Sequence, residues 1–296
     1  MKNIVVVCSI NMDLVTNVAA FPKPGETIHS LGVGYHPGGK GANQAVAAAR
    51  SGARVQMVGA VGTDSFARTL IDNLAASGVD TDSILRKEGH SGLAVITVEQ
   101  SGENHIVLAA GSNKAFTFEE IEGRIAWDET YAVLLQNEID WETTVSVMRA
   151  AKRKGVPVWF NPAPALKLEP PVLSLIHTCI LNETEIELIT GVKVAGTEDA
   201  VRAAGQLLEA GVTQVVVTLG DKGCVWVGPG GECCRVPAFR VKAVDTTAAG
   251  DTFIGALAAA GRGGLPVTDA LRYAVAASAI AVTRQGAQAS IPTRQE

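Results

Sequence analysis

The sequence lacks the features that mark several classes of protein. It has no apolar run near the roughly 18 residues that a membrane-spanning helix needs. Its five cysteines form no CxxC pair, which argues against a zinc site and against a disulfide framework. Basic residues are not in excess, because 25 Lys and Arg stand against 30 Asp and Glu. We therefore expect a cytoplasmic protein, where thiols stay reduced, with neither nucleic acid nor a membrane as its partner.

Short runs of β-branched residues alternate with longer alanine-rich segments along most of the chain. The strand-like runs are 4–9, 54–58, 132–135, 156–160, 178–181 and 214–218, and the helix-like segments are 41–51, 65–76, 118–126, 142–153, 183–190 and 198–210. This alternation predicts a three-layer αβα sandwich with a mainly parallel central sheet. The alanine- and glycine-rich stretch 252–283 predicts two closely packed helices around a turn at 261–266.

Two regions depart from this alternation. Residues 14–37 and 91–109 read as extended chain, with a turn at Ser101 and Gly102 in the second region. We interpret them as a small β-sheet lid on the main body, although ordinary surface hairpins would give the same pattern. Because the sequence contains neither a linker nor a repeat, we expect residues 1–296 to form a single domain with this lid.

The segment DTTAAGDTF, at 245–253, predicts an anion site at the start of a helix. The first N–H groups of a helix have no partner within it, and the helix dipole adds partial positive charge there. Ala248, Ala249 and Gly250 leave that end bare, and Asp251 places a carboxylate beside it. The alternative is that an aspartate in the first turn does no more than stabilise the helix.

The segment PGGKGANQ, at 37–44, almost matches a phosphate-binding loop when Gly34 is included. That motif requires serine or threonine after its lysine, and Gly41 stands there instead, so we reject it. The glycines would instead let the backbone and Asn43 approach a ligand rich in hydroxyl groups. A simple packing turn is the alternative.

Further polar residues follow other predicted strands. They are Glu138, Asn161, NETE at 182–185 and TLGDKG at 218–223. Open α/β sheets bind ligands at the carboxyl ends of their strands, so we expect these groups to converge on one edge of the sheet. Asn182 and Glu185 would either cap a helix or order water around magnesium and nucleotide phosphates.

Taken together, these motifs resemble those of the ribokinase (pfkB-type) family of carbohydrate kinases. The resemblance runs from SINMD at 9–13 to AVTRQGAQAS near the end of the chain. It implies ATP-dependent phosphorylation of a pentose at its primary hydroxyl, with PGGKGANQ favouring the 5-hydroxyl of D-ribose. Asp251 would be the catalytic base, and the N–H groups of Ala248, Ala249 and Gly250 would form the anion hole. The family commonly has glycine where this chain has Ala248, a methyl group that a negative φ would accommodate.

The resemblance also implies binding residues and partners. The sugar would be held by Asn11, Asp13, Gly39, Lys40, Gly41, Asn43, Glu138 and Asp251. The nucleotide would be held by Asn182, Thr218, Gly220, Asp221, Gly223 and Gly250. Glu185 would organise Mg²⁺ through water, and a monovalent cation, usually K⁺, would lie among Asp245, Thr247, Ala281, Arg284, Gly286 and Ser290. The family often forms a homodimer through the lid.

Three alternatives stay open at this point. Kinases for 2-deoxyribose, fructose, 2-keto-3-deoxygluconate or nucleosides share the fold, and the fold alone does not choose among them. A sugar-binding regulator without catalysis is a second possibility, although Asp251 and its helix start argue against it. A nucleotide-dependent dehydrogenase would need a GxGxxG turn after the first strand, and SINMD stands there instead.

Overall fold

A computed structural model describes residues 2–296 of the protein. The central sheet has the strand order β14-β13-β12-β11-β10-β9-β1-β4-β5, and β6 pairs with the far end of β4. Its strands are β1 (Asn3–Val7), β4 (Val55–Val61), β5 (Val79–Asp80), β6 (Ile84–Arg86), β9 (Thr130–Leu135), β10 (Val158–Phe160), β11 (Thr178–Asn182), β12 (Gln214–Thr218), β13 (Cys224–Val227) and β14 (Cys233–Val236). Neighbouring strands pair in parallel except at one edge, where β13 pairs antiparallel with both β12 and β14. The predicted mainly parallel sheet is confirmed.

Helices cover both faces of this sheet. They are α1 (Lys40–Arg50), α2 (Phe66–Ala76), α3 (Phe118–Ile121), α4 (Trp141–Arg153), α5 (Pro170–Leu173), α6 (Glu183–Thr190), α7 (Thr197–Glu209), α8 (Ala249–Arg262) and α9 (Val267–Ala281). Successive side chains of β1 point to opposite faces, so Ile4 and Val6 join the core beneath α1, α8 and α9. Val5 and Val7 join a second core beneath α4 and α7. Two buried cores on opposite faces give the three layers that the sequence predicts.

The second sheet is small and has the order β3-β2-β7-β8. Its strands are β2 (Asn11–Val18), β3 (Gly32–Gly38), β7 (Gly92–Glu99) and β8 (Asn104–Ala109). Strand β2 pairs in parallel with β7 and antiparallel with β3. The sheet begins at Asn11, three residues before the extended region that the sequence indicates, because the chain leaves the carboxyl end of β1 and enters β2 almost at once. That this sheet acts as a lid stays a prediction.

Helices α1 and α8 cross at close range. A Cβ atom added at Gly255 would lie 2.4 Å from the carbonyl oxygen of Gln44 and 2.5 Å from the Cβ of Ala47. Only glycine allows this approach, and any larger residue would push the helices apart. The crossing matters for the site, because the first turn of α1 carries Lys40 and the first turn of α8 carries Asp251.

Two predicted elements are shorter than the sequence indicates. The helix predicted over 118–126 is α-helical only at Phe118–Ile121 and continues as a 3₁₀ turn, since Gly123 is a poor helix former. The strand predicted from residue 156 begins at Val158, because Pro157 has no N–H to give to a neighbouring strand. The two helices predicted around residues 261–266 are confirmed as α8 and α9. Among residues 2–296, none of the helices has the length and apolar character needed to cross a bilayer.

Candidate active site

Polar residues from several strand ends meet at one edge of the central sheet. Asn161 follows β10, Asn182 ends β11 and Thr218 ends β12. These three side chains line a cavity of about 210 Å³ together with Lys40, Glu185, Thr246 and the start of α8 from Ala248 to Asp251. The carboxyl ends of parallel strands share one edge of a sheet, so residues far apart in sequence form one cleft.

The start of α8 presents free backbone donors to this cavity. The N–H groups of Ala248 and Gly250 donate to no other residue within the part of the chain that the structure describes. The N–H of Ala249 is different, because it donates to the carbonyl oxygen of Thr246 at 3.2 Å. A Cβ atom added at Gly250 would have no neighbour within 4 Å, so the approach to this end is open. An anion can therefore reach two free N–H groups and the positive end of the helix dipole.

Ala248 adopts a backbone conformation that the sequence does not predict. Its φ is +59°, and within residues 2–296 it is the one non-glycine residue with a positive φ. The negative φ that would accommodate its methyl group is therefore not what the structure has. A left-handed conformation costs an L-residue roughly 1–2 kcal/mol. This strain lies at the residue that directly precedes α8. Strained backbone conformations are common in functional sites.

The carboxylate of Asp251 is buried and held on both oxygens. Asn43 donates from Nδ2 to Oδ2 at 2.9 Å, and Gln44 donates from Nε2 to Oδ1 at 3.0 Å. Both amides come from α1, so the crossing of α1 and α8 fixes the orientation of the carboxylate. Asn43 is buried, and its Oδ1 has no hydrogen-bond donor among the described residues. A buried acceptor without a donor favours a ligand that brings its own hydroxyl groups.

Lys40 supplies positive charge to a cleft that contains several carboxylates. Burial alone would lower the pKa of its ammonium group, but the nearby carboxylates of Asp251, Glu138 and Glu185 raise it overall. Burial raises the pKa of both Glu138 and Glu185. The cleft is therefore short of positive charge as it stands, and it would gain from a bound cation.

A second cavity of about 180 Å³ lies where the small sheet meets the main body, and Asn11, Asn113, Asn137 and Glu138 line it. Glu138 accepts on Oε2 from the Ser9 hydroxyl at 2.5 Å and from the Lys40 N–H at 3.1 Å. These two bonds hold one oxygen of the carboxylate and leave the other available to a ligand.

Asn113 fixes the orientation of Asn11. Its Oδ1 accepts from the N–H of Ile10 at 2.9 Å, so its amide nitrogen must face Asn11, where it donates to Oδ1 at 2.6 Å. The Nδ2 group of Asn11 is then left as a donor for a ligand. Gly92 allows this contact, because an added Cβ would lie 2.1 Å from both Asn11 Oδ1 and Asn113 Nδ2.

The residues expected to bind the nucleotide divide into two groups. Asn182 and Glu185 form a capping box at the start of α6, with the Glu185 N–H donating to Asn182 Oδ1 at 2.8 Å. Both also line the larger cavity, so capping and ligand binding do not exclude one another here. Gly220, Asp221 and Gly223 lie in the turn after β12 and do not line that cavity.

The residues expected to bind a monovalent cation are partly brought together. The Asp245 carboxylate accepts from the N–H groups of Thr247 and Gly286, each at 2.9 Å. The Ala281 carbonyl accepts from the Arg284 N–H at 3.0 Å, which closes the turn after α9. Ser290 is buried, and its hydroxyl donates to the Ala287 carbonyl at 2.8 Å.

Sequence reasoning missed four residues of the site, and all are buried: Ser9, Gln44, Asn113 and Gln136. Gln44 could have been identified from the sequence. It stands one helical turn after Lys40 in an otherwise alanine-rich helix, and a polar side chain that is buried there requires a hydrogen-bonding partner. Ser9 lies within the SINMD segment that carries the resemblance. Nothing in the sequence points to Asn113 or Gln136, whose partners are about one hundred residues away.

Asp13 gives a testable dependence of stability on pH. Burial, and then the charges of Glu138 and Asp251, raise the pKa of its carboxyl from 3.8 to about 7. Between these values the folded protein binds more protons than the unfolded chain, so stability falls as the pH rises. We expect Asp13→Asn to remove this loss, so that its stability relative to the parent increases by about 1–4 kcal/mol between pH ~4 and pH ~8.

Urea unfolding of the ligand-free protein at both pH values measures this difference. Asp82→Asn, at an exposed aspartate, is the control and has no such trend. A difference between Asp13→Asn and the parent that is equal at both pH values would contradict the expectation.

Known proteins resemble the chain over nearly its full length. The model of the pfkB family carbohydrate kinases matches residues 1–294. Ribokinase from Haemophilus influenzae is 43% identical over 299 residues, which cover 100% of this chain and 97% of that protein. Deoxyribokinase from Salmonella typhi is 38% identical over 303 residues, with coverage of 99% and 97%.

A solved structure agrees with these relatives. Arabidopsis thaliana ribokinase complexed with ribose and ATP superposes with a TM-score of 0.92 at 32% identity, covering 99% of this chain and 96% of that one. Both the sequence and the fold therefore assign the chain, which belongs to the pfkB family of carbohydrate kinases.

Proposed function

We propose that the protein transfers the γ-phosphate of ATP to the 5-hydroxyl of D-ribose and releases ribose 5-phosphate and ADP. The observation that carries the proposal is the position of the Asp251 carboxylate at the open start of α8, in the cavity that the free N–H groups face. There it can take a proton from a hydroxyl while the helix start stabilises phosphate charge. The ribokinases among the relatives favour this reaction.

The chemical step needs alignment more than covalent help from the protein. Asp251 takes the proton of the sugar hydroxyl, and the hydroxyl oxygen forms a bond to the γ-phosphorus. The bond between that phosphorus and the β–γ bridging oxygen breaks, and ADP leaves with the electron pair. The free N–H groups of Ala248 and Gly250, with the Lys40 ammonium, stabilise the charge on the phosphoryl oxygens. A positioned base contributes roughly 10²–10⁴-fold and one anion-hole donor about 10²–10³-fold.

The choice of ribose rests on polar groups that a hydroxyl-rich sugar would satisfy. Asn11 offers an amide donor held by Asn113, Glu138 has one carboxylate oxygen to spare, and Asn43 has an unpartnered Oδ1. A sugar that lacks one hydroxyl would leave one of these buried groups unpaired, which is costly. This favours ribose over 2-deoxyribose.

Two cations belong to the proposal. Mg²⁺ would lie near Glu185 through water and neutralise charge on the phosphates, which suits the raised pKa of that carboxyl. K⁺ would lie beside Asp245, where the carbonyl oxygens of Thr247, Arg284 and Gly286 accept no hydrogen bond from another described residue. Unpartnered oxygens of this kind are the ligands that hard cations prefer. Neither cation needs cysteine or histidine.

The small sheet provides the proposed lid and a contact between two copies of the chain. All six residues of β8 are exposed, among them Ile106, Val107 and Leu108, and Val33 and Tyr35 of β3 are exposed as well. An exposed apolar strand is a place for a second copy to pack. Residues 1–296 would then form one α/β domain whose lid closes over the sugar and excludes water. A cytoplasmic location, where ATP is available, completes the proposal.

The dimer leads to a prediction about oligomeric state. Val107 is 68% exposed, so a charge there would not disturb the folded monomer. We expect the parent protein to sediment as a dimer and Val107→Lys to sediment as a monomer with unchanged thermal stability of the main body. A parent protein that is monomeric at micromolar concentration would contradict the proposed contact.

Asp251→Asn tests the catalytic base. We expect it to lower turnover with ribose and ATP by at least about 10²-fold, while calorimetry still detects binding of both substrates. The control is Asp269→Asn, because Asp269 occupies the same position in the first turn of α9 but is exposed. If the two aspartates only stabilise helices, both variants keep turnover.

The same assay tests the cations and the substrate. We expect the parent protein to need Mg²⁺, to be faster with K⁺ than without it, and to prefer ribose to 2-deoxyribose, fructose and adenosine. Binding of ribose without turnover under every condition would favour a sugar-binding regulator over an enzyme.

Asn11→Leu tests the choice of sugar. Loss of the amide removes a hydrogen bond to a ribose hydroxyl and leaves an apolar surface in its place. We expect the ratio of kcat/KM for ribose to that for 2-deoxyribose to fall at least about 10-fold. Asn17→Leu, at the exposed end of the same strand, is the matched control and leaves the ratio unchanged. An equal loss with both sugars would place Asn11 outside sugar selection.

A further inference from the structure

Gln44 is the centre of a buried chain of amides that ends on the reacting carboxylate. It is 0% exposed, as is Gln136, which directly follows β9. Gln136 donates from Nε2 to Gln44 Oε1 at 2.5 Å, and Gln44 donates from Nε2 to Asp251 Oδ1 at 3.0 Å. The second hydrogen of the Gln44 amide faces Asn161 Oδ1 at 3.4 Å. All the hydrogen-bonding atoms of the Gln44 side chain are therefore used.

A purely structural role does not account for this network, because the network lowers the stability of the folded protein. Gln136 Oε1 is buried and has no donor among the residues that the structure describes. A buried acceptor left without a partner costs stability, and an apolar residue of similar size would avoid that cost. Gln136 nevertheless determines the orientation of Gln44, because a donor facing Gln44 Oε1 forces the NH₂ group of Gln44 towards Asp251. Orientation of the Asp251 carboxylate would explain why Gln136 and Gln44 are present despite this cost.

The two oxygens of Asp251 differ in their surroundings. Oδ1 faces the fully buried Gln44, whereas Oδ2 faces Asn43, whose own Oδ1 lacks a donor. A substrate hydroxyl can donate to the Asn43 oxygen and so arrive beside Oδ2. The residue bound to Oδ1 offers no such acceptor, because Gln44 Oε1 already accepts from Gln136 Nε2. The unpartnered oxygen on this side belongs to Gln136, which bonds to Gln44 and not to Asp251.

We propose that Gln44, backed by Gln136, is a positioning residue that holds Oδ1 of Asp251 and leaves Oδ2 as the oxygen that takes the proton from the sugar hydroxyl. This inference rests on the proposed function, in which Asp251 is the base. Gln44 acts through Asp251 and has no contact with the transferred group. The same amide lies beside Asn161, which donates to Glu185 Oε2 at 3.4 Å, so it also links the base to the expected magnesium side of the cleft.

The test is the pH–rate profile of Gln44→Met, which keeps the length of the side chain and removes its hydrogen bonds. We expect kcat to fall about 10- to 100-fold, since a bond to a charged group is lost, with the KM for ATP unchanged. The acid limb of the profile moves to higher pH, because a carboxylate that loses a donor holds its proton more tightly. The other charged groups that face Asp251 are Lys40, Asp13, Glu138 and Glu185, and the substitution leaves all four in place.

Gln136→Met is the second variant, and it keeps the proposal testable if Gln44→Met does not fold. We expect a smaller fall in kcat with the same direction of shift, and no further shift when both substitutions are combined. Gln206→Met, at an exposed position of α7, is the matched control. Lower stability in Gln44→Met and Gln136→Met with an unshifted acid limb would show a packing role and overturn the proposal.

A comparison with Asp251→Asn separates failure of this inference from failure of the proposed function. If Asp251→Asn keeps turnover, the base is elsewhere and both fail. If Asp251→Asn loses turnover while Gln44→Met keeps the parent profile, only the role of Gln44 fails. The proposal requires that Gln44→Met causes no additional loss when Asp251→Asn is already present.

Discussion

The contact between α1 and α8 is the constraint on which the rest of the site depends. These helices come from opposite ends of the chain, and Gly255 lets them approach until backbone meets backbone. Because of this contact, the amides of Asn43 and Gln44 reach the carboxylate of Asp251. The same crossing places Lys40 opposite the start of α8, where the free N–H groups lie. A small change at the crossing would therefore move the proposed base and the proposed anion site together.

In the absence of ligands, the cleft contains more carboxylates than positively charged groups. Lys40 faces three carboxylates, and burial raises the pKa of Asp13, Glu138 and Glu185 above their ordinary values. Such an arrangement opposes folding, and hydroxyl donors from a sugar and a metal cation would relieve it. Strain at Ala248 acts in the same direction. Features that lower stability are thus concentrated where the substrates would bind, as is usual for functional sites.

Much of the fold was predictable from periodicity, because buried parallel strands and alanine-rich helices leave clear patterns in the sequence. The approximate positions of Glu138 and Asn182 followed from a simple rule, that ligands gather at the carboxyl ends of strands. That of Asp251 followed from the bare start of a helix. The hydrogen bonds that orient these residues were not predictable. Gln136 meets Gln44 across 92 positions, and Gln44 meets Asp251 across 207. Periodicity carries no information about which distant amide faces which carboxylate, nor about the positive φ of Ala248.

The division of the proposed sugar-binding residues between the small sheet and the main body has a consequence for how the pocket would open. Asn11 and Asp13 belong to β2 in the small sheet, whereas Glu138 follows β9 and Asp251 belongs to α8 of the main body. Any rigid rotation of the small sheet would move Asn11 and Asp13 away from Glu138 and Asp251. Opening would therefore separate the residues of the pocket as well as expose it to solvent. Sugar binding and closure would then be coupled, because the hydroxyl groups of the bound sugar would form hydrogen bonds to both the small sheet and the main body. An enzyme that closed in this way would keep ATP from meeting water at a complete site until the bound sugar had completed that site.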